Sequence, residues 1–192
     1  ANAKLCFQKI IDINNKNYQA YYNLGKILNE EENHEEAINL FTQCIKIHPN
    51  HSNAYNNLGM AHNKLSLTSQ AKNFIEKSIE INPKNFYSYN NLGIVYDNTY
   101  NTKKAKENFY KAININPNFT DAWWNLHCCS KNINEALKVL NKLLKIDKNH
   151  LKAKIITSAL KAYNGDKNDY KDLMRSEDCD HPYARSIDWV LS

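Results

Sequence analysis

Ala20-Tyr21-Tyr22-Asn23-Leu24-Gly25 returns as Ala54-Tyr55-Asn56-Asn57-Leu58-Gly59 and again as Ser88-Tyr89-Asn90-Asn91-Leu92-Gly93, each time after 34 residues. Pro49, Pro83 and Pro117 keep the same step, in a chain with only four glycines and four prolines. A fixed period of this length is the mark of a stacked-repeat architecture, in which each unit buries its apolar face only against its neighbours. Such a stack offers function a surface rather than a catalytic pocket.

The spacing inside each unit is helical. Tyr21, Leu24 and Leu28 form one apolar stripe, as do Tyr89, Leu92 and Tyr96. A second stripe follows, through Ala37, Leu40, Phe41 and Ile45, then Ala71, Phe74, Ile75 and Ile79. Gly25 and Ala37 lack bulk, which predicts close approach of two antiparallel helices. Glycine inside a helix costs about 1 kcal/mol against alanine, and that closeness is the expected compensation. Each proline ends the second helix, because it supplies no amide and its ring clashes with the preceding turn.

Twelve residues after each glycine stands Ala37, Ala71 or Ala105, and four further on Phe41, Ile75 or Phe109. Aromatic, Leu-Gly, Ala-x3-Phe and Pro over 34 residues resembles the tetratricopeptide repeat (TPR) family. The resemblance implies an all-α, right-handed superhelical solenoid of antiparallel helix pairs. The units are expected at 18–51, 52–85 and 86–119. A degenerate fourth spans 120–150, and a degenerate helical cap and tail spans 151–192. The fourth opens Ala122-Trp123-Trp124-Asn125-Leu126-His127, lacks three residues between its helices, and has Lys148 where the others have proline, so looser packing is expected. Ala3-x3-Phe7 matches the second helix of an earlier unit, so residues 1–17 read as the remnant of a truncated upstream repeat in an excised piece of a longer protein. Short helices are expected near 168–174 and 183–191.

The five cysteines are scattered and form no CxxC, and no apolar run approaches the length of a membrane span. These features read as a reducing, intracellular and cytoplasmic setting without a membrane span. The 31 asparagines, with lysine and isoleucine, are also what an AT-rich genome would produce. Residues 120–171 hold ten lysines against five acids, whereas 172–192 carry a net charge of −3. That contrast would let the tail fold back on the last helices. The lysines are dispersed, and the only arginines, Arg175 and Arg185, lie in the tail, so no specific nucleic-acid recognition is expected.

The family resemblance places first helices on the concave face and turns the residue two before each glycine into the groove. Here that column is Asn23, Asn57, Asn91 and Asn125. Carboxamides both donate and accept, so the column could pair with an extended peptide backbone whatever its sequence. It is similar to the asparagine ladder in the TPR superhelix of protein O-GlcNAc transferases. Beside it the reading sets Tyr22, Asn56, Asn90 and Trp124, with Lys26 and Tyr87 as further groove contacts. The carboxylate clamp with which TPR co-chaperones grip Hsp70 or Hsp90 needs paired cations. Tyr22, Lys26, Asn57, Tyr87 and Asn91 do not supply them, so that partner is rejected.

No catalytic residue, metal site or cofactor is expected. Adjacent helical residues diverge by about 100°, so His127, Cys128 and Cys129 cannot share one ion. Cys179-Asp180-His181 shows no recognisable base geometry, and no glycines cluster into a phosphate loop. His34, His48, His51 and His62 read as surface or groove polar residues. The expected function is a non-enzymatic protein–protein interaction module holding an extended peptide or partner protein in its concave groove. The alternative is a substrate-recruiting arm of a larger glycosyltransferase or methyltransferase. Self-association as a homo-oligomeric scaffold stays open.

Overall fold

The computed structural model describes residues 2–165, and the expectations for the short helices near 168–174 and 183–191, the folded-back tail and Cys179-Asp180-His181 lie outside them. Ten helices and no strand occur among the described residues. The chain divides into two compact units, 1–116 and 117–192.

In the first unit α1 (Asn2–Ile13) is followed by three helix pairs: α2 (Tyr18–Glu30) with α3 (His34–Ile47), α4 (Ser52–Lys64) with α5 (Thr68–Ile81), and α6 (Phe86–Asn98) with α7 (Thr102–Ile115). Each second helix stops two residues before its proline, as the missing amide requires. The turn inside each pair is left-handed at one residue, Glu32 (φ 63°), Ser66 (φ 61°) and Tyr100 (φ 59°), again 34 residues apart.

The glycines mark where the two helices of a pair touch. A Cβ added at Gly25 would lie 2.8 Å from the Phe41 ring, and one at Gly93 would lie 2.5 Å from the Phe109 ring. At Gly59 it would meet Ile75 at 2.5 Å and the backbone oxygen of Ala71 at 2.8 Å. The core then closes between pairs. Leu28, Ala37 and Phe41 pack with Leu58 of the next unit, and Ala71 and Ile75 pack with Leu92 and Val95. No pair is self-sufficient, which is the physical meaning of a solenoid.

The second unit contains α8 (Thr120–Cys128), α9 (Ile133–Ile146) and α10 (Leu151–Tyr163). Its core joins Leu140, Leu143 and Ala153, with Trp123 and Trp124 packed against them. Ala136 is 9 % exposed, whereas Ala37, Ala71 and Ala105 are fully buried. The hydroxyl of Ser130 is buried there without a hydrogen-bond partner.

Candidate peptide-binding face

Asn23, Asn57 and Asn91 occupy the same position on α2, α4 and α6, and all three are half-buried. Their amides are not equivalent. Asn57 donates to the Tyr22 hydroxyl at 3.4 Å and accepts from Asn56 at 3.2 Å. Asn91 donates to Asn56 Oδ1 at 2.9 Å. Both cross-repeat bonds run from Nδ2 of the later unit to an oxygen of the earlier one. A primary amide has two N–H groups and two lone pairs. Asn57 and Asn91 each therefore keep one N–H, and Asn57 keeps a lone pair, after tying their repeats to the previous ones. Asn125 belongs to the second unit, on α8.

The column three before the glycine departs from expectation. Asn56 and Asn90 are each 5 % exposed, so they are not open groove contacts. Asn56 faces the next repeat, where its amide accepts from Asn91, and it donates to its neighbour Asn57. Tyr22 and Trp124 are half-buried for the same reason. The Tyr22 ring packs on His51 at 4.7 Å and on Phe41 at 6.1 Å. Trp124 stacks on His150 at 5.3 Å and lies 4.6 Å from His127. Burial pushes the Tyr22 hydroxyl above its ordinary pKa, against the opposing hydrogen bond from Asn57. Lys26 is exposed with its ammonium 6.0 Å over the Tyr22 ring, and Tyr87 is 52 % exposed.

Two devices at the helix starts escaped sequence reading. His51 and His150, read as polar surface or not singled out, are N-caps: each Nδ1 accepts from the backbone, at Ala54 (3.1 Å) and Ala153 (3.2 Å). Each also meets a half-buried aromatic ring of the preceding first helix, Tyr22 or Trp124. Burial first, and His48 second, lower the pKa of His51. The signal was its position, a hydrogen-bond acceptor immediately before a first helix, where Asn17 stands one unit earlier.

The second device is a buried hydroxyl cluster. Ser78 Oγ lies 2.9 Å from Ser52 Oγ and 2.7 Å from Ser88 Oγ, and donates to the Ser52 carbonyl at 2.8 Å. Asn85 donates to Ser52 Oγ and to Asn53 Oδ1, both at 3.0 Å. Asn53, exposed on α4, is thus held by the residue that precedes α6.

No group of three metal-ligating side chains forms among the described residues. Burial raises the Cys44 thiol to about 11, which keeps it protonated and unreactive. Among the described residues no helix is long and apolar enough to cross a membrane.

Family models for the tetratricopeptide repeat match residues 16–84 and 74–107. Residues 16–107 belong to the tetratricopeptide repeat family. No curated protein matches the chain. Among solved structures, YrrB, a TPR protein with an unusual peptide-binding site, is 20 % identical, with a TM-score of 0.66 over 95 % of this chain and 97 % of its own. MamA is 24 % identical, with a TM-score of 0.66 over 78 % and 89 %. The APC/C hetero-tetramer Cut9-Hcn1 is 17 % identical, with a TM-score of 0.80 over 98 % of this chain but 39 % of the other. At these identities the likeness is one of fold.

Proposed function

We propose that the first unit is a non-enzymatic module that holds an extended peptide of a partner protein along α2, α4 and α6. The observation that carries this reading is the file of half-buried carboxamides, Asn23, Asn57 and Asn91, of which Asn57 and Asn91 keep hydrogen-bonding capacity beyond their ties between repeats. An extended backbone presents N–H and C=O groups at regular intervals, which matches an amide in both roles. Exposed Tyr87 adds aromatic area, and exposed Lys26 adds one cation beside Asn23. Asn56, Asn90, Tyr22 and Trp124 enter this reading as supports of the wall. That YrrB has a peptide-binding site, although an unusual one, is in keeping with a peptide ligand here.

A random-peptide display library panned on the full chain tests the reading. Enriched peptides should bind Asn23→Ala/Asn57→Ala/Asn91→Ala about tenfold or more weakly, since each lost amide forfeits about 1 kcal/mol of hydrogen bonding. Unchanged affinity in a variant of unaltered helicity would refute the ladder.

A further inference from the structure

Away from the carboxamide file, a groove of about 610 Å³ lies between α1 and α3, over α2. Leu24 and Leu28 of α2, each 3 % exposed, form its floor. Leu5 of α1 and Leu40 of α3 stand at its sides, with Lys4 and Glu36 among the polar residues at its rim. Asn23 lies about 140° around α2 from Leu28, so the groove opens on another face than the ladder.

The 34-residue period gives these positions counterparts, because α3, α4 and α5, and then α5, α6 and α7, repeat the order of α1, α2 and α3. Where the first triplet has Leu28, the next two have His62 and Tyr96. The His62 ring packs at 4.9 Å on Phe74, which stands where Leu40 does. The Tyr96 ring packs against the cluster of Ala71, Ile75, Leu92 and Val95. The ammoniums of Lys72 and Lys104, the counterparts of Lys4 and Glu36, come within 5.6 and 5.3 Å of that ring. The later triplets thus carry a ring of their own at the position where the first has a leucine beneath open space. Leu5 is 54 % exposed, and its counterparts Asn39 and Asn73 are exposed as well. This position meets solvent in all three triplets, and only the first places an apolar side chain there.

We propose that this groove is a docking site for an aromatic side chain of a partner protein, flanked in the partner by a lysine or arginine. The guest ring takes the place that the His62 and Tyr96 rings hold in the later triplets and packs among the four leucines. Lys4 is already held by Glu31 at 2.7 Å, and Glu36 sets an acid where the third triplet has Lys104. With one cation and two acids the rim is net negative, which a cation beside the guest ring complements. An aromatic anchor in a largely dry pocket is also the kind of contact that carries most energy at protein interfaces. The site does not depend on the carboxamide ladder.

Titration of the full chain, labelled at its leucine methyl groups, with the acetylated dipeptide amide tryptophan–lysine tests the site by NMR. The methyls of Leu5, Leu28 and Leu40 should shift saturably, and those of Leu92 should not. Leucine–lysine, which lacks the ring, should bind about threefold or more weakly, the scale of an aromatic contact beyond its area. Tryptophan–glutamate should bind about twofold or more weakly, as for an exposed ion pair, and Glu36→Gln should shrink that difference. Leu28→Tyr supplies the ring from within and should abolish the response at Leu5 and Leu40. Tyr96→Leu opens the third triplet, where tryptophan–glutamate, matched to Lys72 and Lys104, should then shift the Leu92 methyls. If Leu28→Tyr fails to fold, Tyr96→Leu decides. No saturable shift at Leu5, Leu28 and Leu40, an equal response to leucine–lysine, or silent Leu92 methyls in a folded Tyr96→Leu overturns the site. Leu5 shifts that depend on the concentration of the chain alone would mean that a second copy fills the groove, and would overturn it too. Asn23→Ala/Asn57→Ala/Asn91→Ala should leave the dipeptide response unaltered.

Discussion

Gly59 shows how one missing atom sets the geometry of a repeat. In an ordinary helix its replacement by alanine would gain about 1 kcal/mol. Here the new methyl meets the backbone oxygen of Ala71, which cannot rotate away, as well as Ile75. Gly59→Ala is expected to lose about 1–2 kcal/mol net, by the cost of overpacking, read from urea unfolding monitored by circular dichroism. Tyr100 is the converse case. Its side chain is almost wholly in water, and its backbone sits in the region that favours glycine. Tyr100→Gly should stabilise the fold by about 1 kcal/mol in the same assay.

At the scale of the element, His51 couples the start of α4 to pH. Its Nδ1 accepts from Ala54 only while unprotonated. Burial and His48 lower its pKa below the ordinary 6.5, so the unfolded chain takes up a proton more readily than the folded one. Stability is therefore complete above pH 6.5, falls as the pH drops below it, and levels off below the folded pKa. His127 in α8, lowered mainly by burial, contributes in the same direction. His51→Asn keeps an acceptor at the cap and removes the titration. Thermal unfolding of that variant between pH 7.5 and pH 5, about the window in which histidine titrates, should depend less on pH than that of the unaltered chain. His51→Ala should cost about 1 kcal/mol at neutral pH through the lost cap.

At the scale of the whole molecule, the core clusters of the first unit are completed by residues between Phe7 and Tyr96, all within 1–116. A chain ending at Asn116 is expected to keep its helical circular dichroism and a cooperative thermal transition, because each helix pair there still has its neighbour. A featureless melt of that shorter chain would show that the first unit does not stand alone. If the ladder reading holds, the same shorter chain should bind panned peptides that contact only Asn23, Asn57 and Asn91.

The order of the helices, their ends and their pairing were legible in the sequence, since a 34-residue repetition of Gly, Ala and Pro is a backbone signal that any neighbour must obey. The column Asn23, Asn57 and Asn91 was legible too, because it stands at a constant offset from those landmarks. What tertiary structure alone decided was which of the adjacent polar residues stay in reach of water. Asn56 and Asn57 are chemically identical neighbours, yet stacking buries the first, and the second remains half open. The serine cluster and the histidine caps arise the same way, from groups that meet between neighbouring helix pairs. Helical period is a property of one chain segment, whereas burial is a property of the segments packed against it.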